Sequence, residues 1–273
     1  MTLIIPDSEK TARIERISIL GGHGRDGTPD SIDRLDLRIG DVVSVVGRTG
    51  SGKTTLINDI ELFANGDTPT GRRILINGAP PSPRYRDDPA HNPIALITQH
   101  TTFLSDLPVD EFLHIHAAVR NGSAERIKDM VERTLIFANQ LTGEPILTSS
   151  RMTELSGGQT RALLIADAAV ICDTPIVLLD EVENAGINRS RALELLRNSQ
   201  KIFVFVTHDP RIALLSDYRL VIRDGRIDRV LYTDEQERRL APQVGRLDDA
   251  LAELRERIRA GERVASFAGG IVP

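Results

Sequence analysis

The sequence predicts an α/β fold with a mainly parallel sheet, a helical insertion and a C-terminal appendage. Three observations carry that prediction. Apolar runs rich in β-branched residues, such as "DVVSVVG" and "PIVLLD", have the near-continuous character of strands buried on both faces. "RSRALELLRNSQ" has a helical pattern and stands between "PIVLLD" and "KIFVFVTHD", the strand–helix–strand order of a parallel crossover. At 273 residues, 40% hydrophobic and 27% charged, the chain can bury one large core, which excludes global disorder.

Element by element, "MTLIIPDSEK" has no basic flank and no long apolar centre, so no signal peptide is expected. "RIERISI", "LDLRI" and "DVVSVVG" read as strands, and "TLINDIELFAN" as the helix after the third. "GHGRDG", from Gly22 to Gly27, matches G-x-G-x-x-G but leads into a second strand rather than a helix. It is therefore read as a loop and not as a dinucleotide site. "VDEFLHIHAAV" and "AERIKDMVERTLIFANQL" are helical. His114 and His116 stand two apart on the first of these and face different ways, with no nearby cysteine or third ligand, so solvated or hydrogen-bonded histidines are expected rather than a zinc site. "YRLVIRDGRIDRVLYT" predicts a hairpin turning at Asp224-Gly225. In the tail, Leu247, Leu251 and Leu254 recur at helical spacing, predicting an amphipathic helix from about Val244 to Ala260, either packed on its own domain, the preferred reading, or serving as a dimer or regulatory contact.

The formal charge of −5 argues against general electrostatic capture of nucleic acid, and no nucleic-acid partner is expected. The single cysteine, Cys172, cannot form an internal disulfide, which fits a reducing compartment; it is expected to be buried as a small hydrophobe. No segment approaches the roughly 20 apolar residues that span a bilayer.

Three motifs carry chemistry. "GRTGSGKTT" comprises Gly47, Arg48, Thr49, Gly50, Ser51, Gly52, Lys53, Thr54 and Thr55, and satisfies G-x-x-x-x-G-K-[ST] between a strand and a helix. Its glycines let backbone N–H groups turn inward around phosphate oxygens at a helix N-terminus. Lys53 is placed to reach the β/γ-phosphates and Thr54 to offer a hydroxyl to Mg²⁺. "PIVLLDE" ends a buried strand with Asp180, assigned to hold Mg²⁺ through its water shell, and Glu181, assigned to orient or deprotonate the attacking water. In "LSGGQ", Ser156, Gly157 and Gly158 precede a helix beginning near Gln159, a second anion-binding helix start. Two phosphate-binding elements far apart in one chain are most economically explained by a head-to-tail dimer that closes on ATP.

With these motifs in order, and with "ITQH" around Gln99 and "FVTHD" around His208, the chain resembles the ATP-binding cassette (ABC) ATPases from Arg13 to Tyr232, about four-fifths of its length. The resemblance implies a P-loop NTPase core with an antiparallel β subdomain and an α-helical insertion. It also implies ATP and Mg²⁺ as ligands, and a sandwich dimer with two ATP sites. It gives Gln99 the task of sensing Mg²⁺ and the attacking water, and His208 that of contacting the γ-phosphate. The cassette is expected over residues 1–232, with a helical subdomain about 100–169 and an extension over 233–273. ABC proteins usually place an aromatic residue upstream to stack on adenine; Thr11–Val46 holds none, and His23 is either a weak substitute or a plain loop residue.

The chain also departs from the family. Arg161 and Ala162 stand where the family often has Gln then Arg, and Asp167 stands at a later basic position. Val182–Ile187 replaces the usual Pro-Thr-Ser-Ala-Leu-Asp, leaving Ile187 where an aspartate communicates across the dimer. These departures point towards a non-transport ATPase that remodels a protein partner. The "LPVDEF" stretch and single-cassette size point towards the ATP-binding subunit of a transporter, cytoplasmic and held at the membrane by a separate permease, which is the preferred reading.

Overall fold

The structure, a computed structural model, describes residues 13–88, 91–121, 123–181 and 189–264. Its strands form two sheets. The smaller is antiparallel: β1 (Arg16–Leu20) lies between β2 (Arg34–Arg38) and β4 (Arg73–Ile76). The larger contains β3 (Val42–Val46), β5 (Ile94–Thr98), β6 (Ile176–Asp180), β7 (Ile202–Val206), β8 (Tyr218–Arg223) and β9 (Arg226–Tyr232) in the order β5-β6-β7-β3-β8-β9. All its pairings are parallel except β8–β9. That hairpin turns through Asp224 (φ 51°) and Gly225 (φ 88°), the paired positive angles of a tight two-residue turn.

The apolar runs are continuous because both faces of the large sheet are covered. Along β6, Ile176 and Leu178 join one core with β1, β3 and the helix α1 (Lys53–Glu61), while Val177 and Leu179 join another on the opposite face. That second core is closed by α5 (Gly157–Val170), α6 (Arg189–Asn198) and α7 (Pro210–Leu215). A third core lies among helices: Leu113 of α3 (Val109–Asn121) and Val131 of α4 (Ala124–Leu141) pack with Leu163 and Ala166 of α5. Helix α5 is thus apolar on two sides, one facing the sheet and one facing the inserted helices. A short helix, α2 (Arg84–Asp87), precedes β5.

The C-terminal helix differs from expectation. α8 runs from Glu235 to Arg259, begins before the expected start, and carries Pro242 inside it. Asp234 accepts from the Glu237 N–H (2.8 Å) at its start, and the Glu237 carboxylate pairs with Arg219 at 2.5 Å, so the first turns are anchored despite the proline. The helix packs on α7, but Leu247 and Leu251 are exposed; the Arg211 side chain, lying against Gly245 and paired with Asp249 at 3.3 Å, makes the contact instead. No described helix is long and apolar enough to cross a membrane.

Candidate active site

In the parallel sheet Thr98 pairs with Asp180, Asp180 with Val206, and Val45 with Val206. This register brings the C-terminal ends of β5, β6, β7 and β3 to one edge, where open α/β sheets bind their ligands. Gln99, Glu181, the Thr207-His208 pair and the Gly47 turn leave the sheet at that edge.

The loop after β3 is shaped by glycine. Gly47, Gly50 and Gly52 all have positive φ (157°, 77° and 101°). A Cβ on Gly52 would lie 2.7 Å from the Gly225 Cα, so the hairpin tip packs directly on the loop; the Gly225 N–H also donates to the Ser51 carbonyl (2.7 Å). Helix α1 then starts with no side-chain cap and no acid in its first turn, leaving its first N–H groups available to an anion. The Ser51 hydroxyl is buried and has no hydrogen-bond partner among the described residues. This loop therefore fits a phosphate group.

Lys53 is buried, and its Nζ donates to the carbonyls of Gly47 (3.1 Å) and Arg48 (3.3 Å). It also lies 3.2 Å from His208 Nε2, which accepts from it when the imidazole proton is on Nδ1. The same ring nitrogen lies 3.6 Å from Glu181 Oε1. Glu181 has a left-handed backbone (φ 52°), fixed by its N–H donating to Val206 O (3.0 Å), the kind of strained position that concentrates at functional sites. Lys53, His208 and Glu181, up to 155 positions apart in sequence, thus bring an ammonium, an imidazole and a carboxylate together at one ring nitrogen.

The other expected residues are placed less closely. Arg48, Thr49, Gly50 and Thr54 are exposed on the loop and first helical turn, Thr55 is half-buried, and Asp180 ends β6 beside Thr98. Gln99 is exposed, with its amide nitrogen 3.1 Å from His100 Nε2. Ser156 caps α5: its hydroxyl accepts from Gln159 N–H (3.3 Å), while Gln159 Oε1 accepts from Ser156 N–H (2.9 Å). Gln159 also donates to Pro145 O (3.1 Å); among the described residues, no hydrogen bond joins Ser156–Gln159 to the loop of residues 47–55.

Comparison with known proteins decides the family. Residues 32–184 match the family model described as ABC transporter. The chain is 46% identical over 251 residues to the uncharacterized ABC transporter ATP-binding protein MJ0121 of Methanocaldococcus jannaschii, covering 92% of this chain and 95% of that one. The chain belongs to the ABC transporter family. This ABC cassette is an ATPase with the α/β fold of the family. It is similar in fold to cbiO1 from Clostridium perfringens, part of the ABC transporter complex cbiONQ (TM-score 0.63, 22% identity, 87% of this chain and 100% of that one). It is also similar to the ATP-binding cassette MJ0796 in a dimeric, post-hydrolysis state bound to ADP and Pi (TM-score 0.59, 21% identity, 80% and 99%).

Two departures from the ABC pattern acquire contacts that sequence reasoning missed. Arg161 donates to the Gly157 carbonyl (3.0 Å) and to the Gln99 carbonyl (2.6 Å), tying the signature helix of the cassette to the turn after β5. Asp167 sits 2.8 Å from His116 Nδ1 and accepts from the Cys172 thiol at 3.6 Å. The expectation that His116 lacks a nearby cysteine or third ligand is corrected: α3 and α5 share one core, which brings His116 to Asp167, 51 positions away, and through it to Cys172. Cys172 is half-buried in this polar cluster rather than packed as a hydrophobe, whereas His114 is exposed and turned to its own helix through Asp110 O (2.8 Å). The Val182–Ile187 departure lies outside the described residues.

Proposed function

We propose that this cassette is the ATP-hydrolysing subunit of an ABC transporter, working as a head-to-tail dimer beneath a separate membrane permease. The observation that carries the reading is the chain from Lys53 through His208 to Glu181 beside an uncapped helix start (3.2 and 3.6 Å). Lys53 and the backbone N–H groups of Gly47–Thr55 bind the phosphates and offset their charge. His208 contacts the terminal phosphate and orients the water, and Glu181 holds or accepts that water's proton. Thr54, Asp180 and Gln99 offer only oxygen donors, the set that suits Mg²⁺, which when bound neutralises charge developing on the phosphates. Ser156, Gly157, Gly158 and Gln159 of the partner subunit's identical motif complete each site at their helix start.

Residues 1–232 are read as the cassette, with residues of about 100–169 as its helical part and 233–273 as an extension. Leu104 is fully exposed in the stretch after Gln99, a surface suited to a permease at the cytoplasmic face of the membrane. The test is a pair of variants. Lys53→Ala is expected to weaken ATP binding at least about tenfold, and Glu181→Gln to keep binding but lower hydrolysis at least about hundredfold. Unaltered affinity in the first, or unaltered turnover in the second, would remove that residue from its role. Co-purification with a multi-span membrane protein tests the permease; isolation with soluble proteins alone counts against it.

A further inference from the structure

The three residues that meet behind the signature helix have no task in ATP hydrolysis. His116 comes from α3, Asp167 from the last turn of α5, and Cys172 from just beyond that helix. Their ligand atoms, one nitrogen, one oxygen and one sulfur, all lie within 4.8 Å of one another. We propose that His116 Nδ1, the Asp167 carboxylate and Cys172 Sγ bind one zinc-class divalent transition metal, which pins α3 to the C-terminal end of α5.

The donor set chooses the metal. Thiolate and imidazole disfavour Mg²⁺ and Ca²⁺, which take oxygen, and suit zinc, which accepts sulfur, nitrogen and carboxylate together. A tetrahedral ion about 2.0 Å from nitrogen and oxygen and about 2.3 Å from sulfur needs ligand atoms roughly 3.3–3.6 Å apart. The Cys172 sulfur is already 3.6 Å from one oxygen of Asp167, Oδ2. His116 Nδ1 lies 2.8 Å from the other oxygen, Oδ1, the distance of a hydrogen bond; that pair must open by roughly half an ångström, or the carboxylate turn, as the ion replaces the proton. Binding releases the protons of the thiol and of Nδ1, and water takes the fourth position.

The surroundings support a cation independently. Helix α5 has no basic residue in its last turn, so its C-terminal carbonyl dipoles are not complemented by a side chain of its own. The Cys172 N–H donates to the Asp167 carbonyl (2.9 Å), which fixes the thiol beside that helix end. His116 is 27% exposed and Asp167 11%, so an ion can reach the ligands while losing most of its water. Without an ion, hydrogen bonds with Asp167 and then with Cys172 push His116 up to about 10, which favours a proton on its ring. The metal and this proton compete for the same atoms.

The experiment titrates Co²⁺, then Zn²⁺, into the full untagged chain without nucleotide. Because Cys172 is the only cysteine, a thiolate-to-cobalt charge-transfer band in the near ultraviolet reports this site alone. One Co²⁺ per chain is expected, displaced by Zn²⁺ but not by excess Mg²⁺, with affinity lowered at least about tenfold in Cys172→Ser and His116→Ala. Absence of the band, or equal uptake by the variants, would overturn the proposal and leave a protonated pair only. Should a variant fail to fold, alkylation of Cys172 in the unaltered chain decides: Zn²⁺ is expected to slow it at least about tenfold, and an unchanged rate refutes the site.

Discussion

Arg72 is fully buried, and its guanidinium is shared between two aspartates. Two of its nitrogens donate to Asp30 (2.9 and 2.8 Å), a third to Asp59 (3.0 Å), and one also to the Gly225 carbonyl (2.8 Å). Removing one side of such a buried pair leaves uncompensated charge, so Arg72→Met is expected to cost about 3–5 kcal/mol, read as a lowered denaturant midpoint. Burial alone would raise Asp30, but bonds from Arg72, Gly22 and Ile227 outweigh it and hold the carboxyl below its ordinary value. A depressed folded-state value means the stabilisation is complete above the unfolded carboxylate range, about 3.9, and is lost as pH falls through the folded value. Melting temperatures measured down that range should therefore fall, and a flat acid limb would contradict the assignment. Arg72 was illegible in the sequence because an arginine reads as surface charge until its partners, 42 and 13 positions away, are brought to it. Lys53 was legible because its motif is local and needs no tertiary contact to recognise.

At the level of elements, the nucleotide loop is a joint product of β3, α1 and the β8–β9 hairpin. Gly52→Ala places a Cβ against the Gly225 backbone at a positive φ, so the loop must shift. The expected result is about 1–3 kcal/mol of strain and at least a tenfold loss of nucleotide affinity, checked by thermal melting and nucleotide titration. Normal affinity in a folded Gly52→Ala chain would show that the hairpin does not shape the loop. Strands β3, β6 and β7 could be read directly, since burial on both faces writes an unbroken apolar run. β4 and β5 carry no such signal: "RILI" is brief, opens on Arg73 and follows Arg72, and "IALIT" is half-buried at the edge of its sheet. Pro242 hid the start of α8, which is held by tertiary ion pairing rather than by propensity.

For the whole molecule, the lack of any hydrogen bond, among the described residues, between Ser156–Gln159 and the loop of the same chain bears on assembly. If each site is shared between subunits, Lys53→Ala and Gly157→Asp chains should both be inactive alone, yet regain part of the hydrolysis when mixed, because a mixed pair contains one intact composite site. No recovery on mixing, with both variants folded, would argue for sites completed within one chain. Gly157 suits this test because a Cβ there meets only the end of the Arg161 side chain, at 3.1 Å. The motifs predict this division of labour, whereas the Arg161–Gln99 bond is not legible in the sequence: the substitution is visible, but its partner depends on how α5 packs against the sheet. The hairpin clamp also bears on biosynthesis. Gly225 leaves the ribosome long after Ser51 and Gly52, whose conformation it secures. A growing chain therefore exhibits its phosphate-binding sequence well before the hairpin that rigidifies the binding loop has been made.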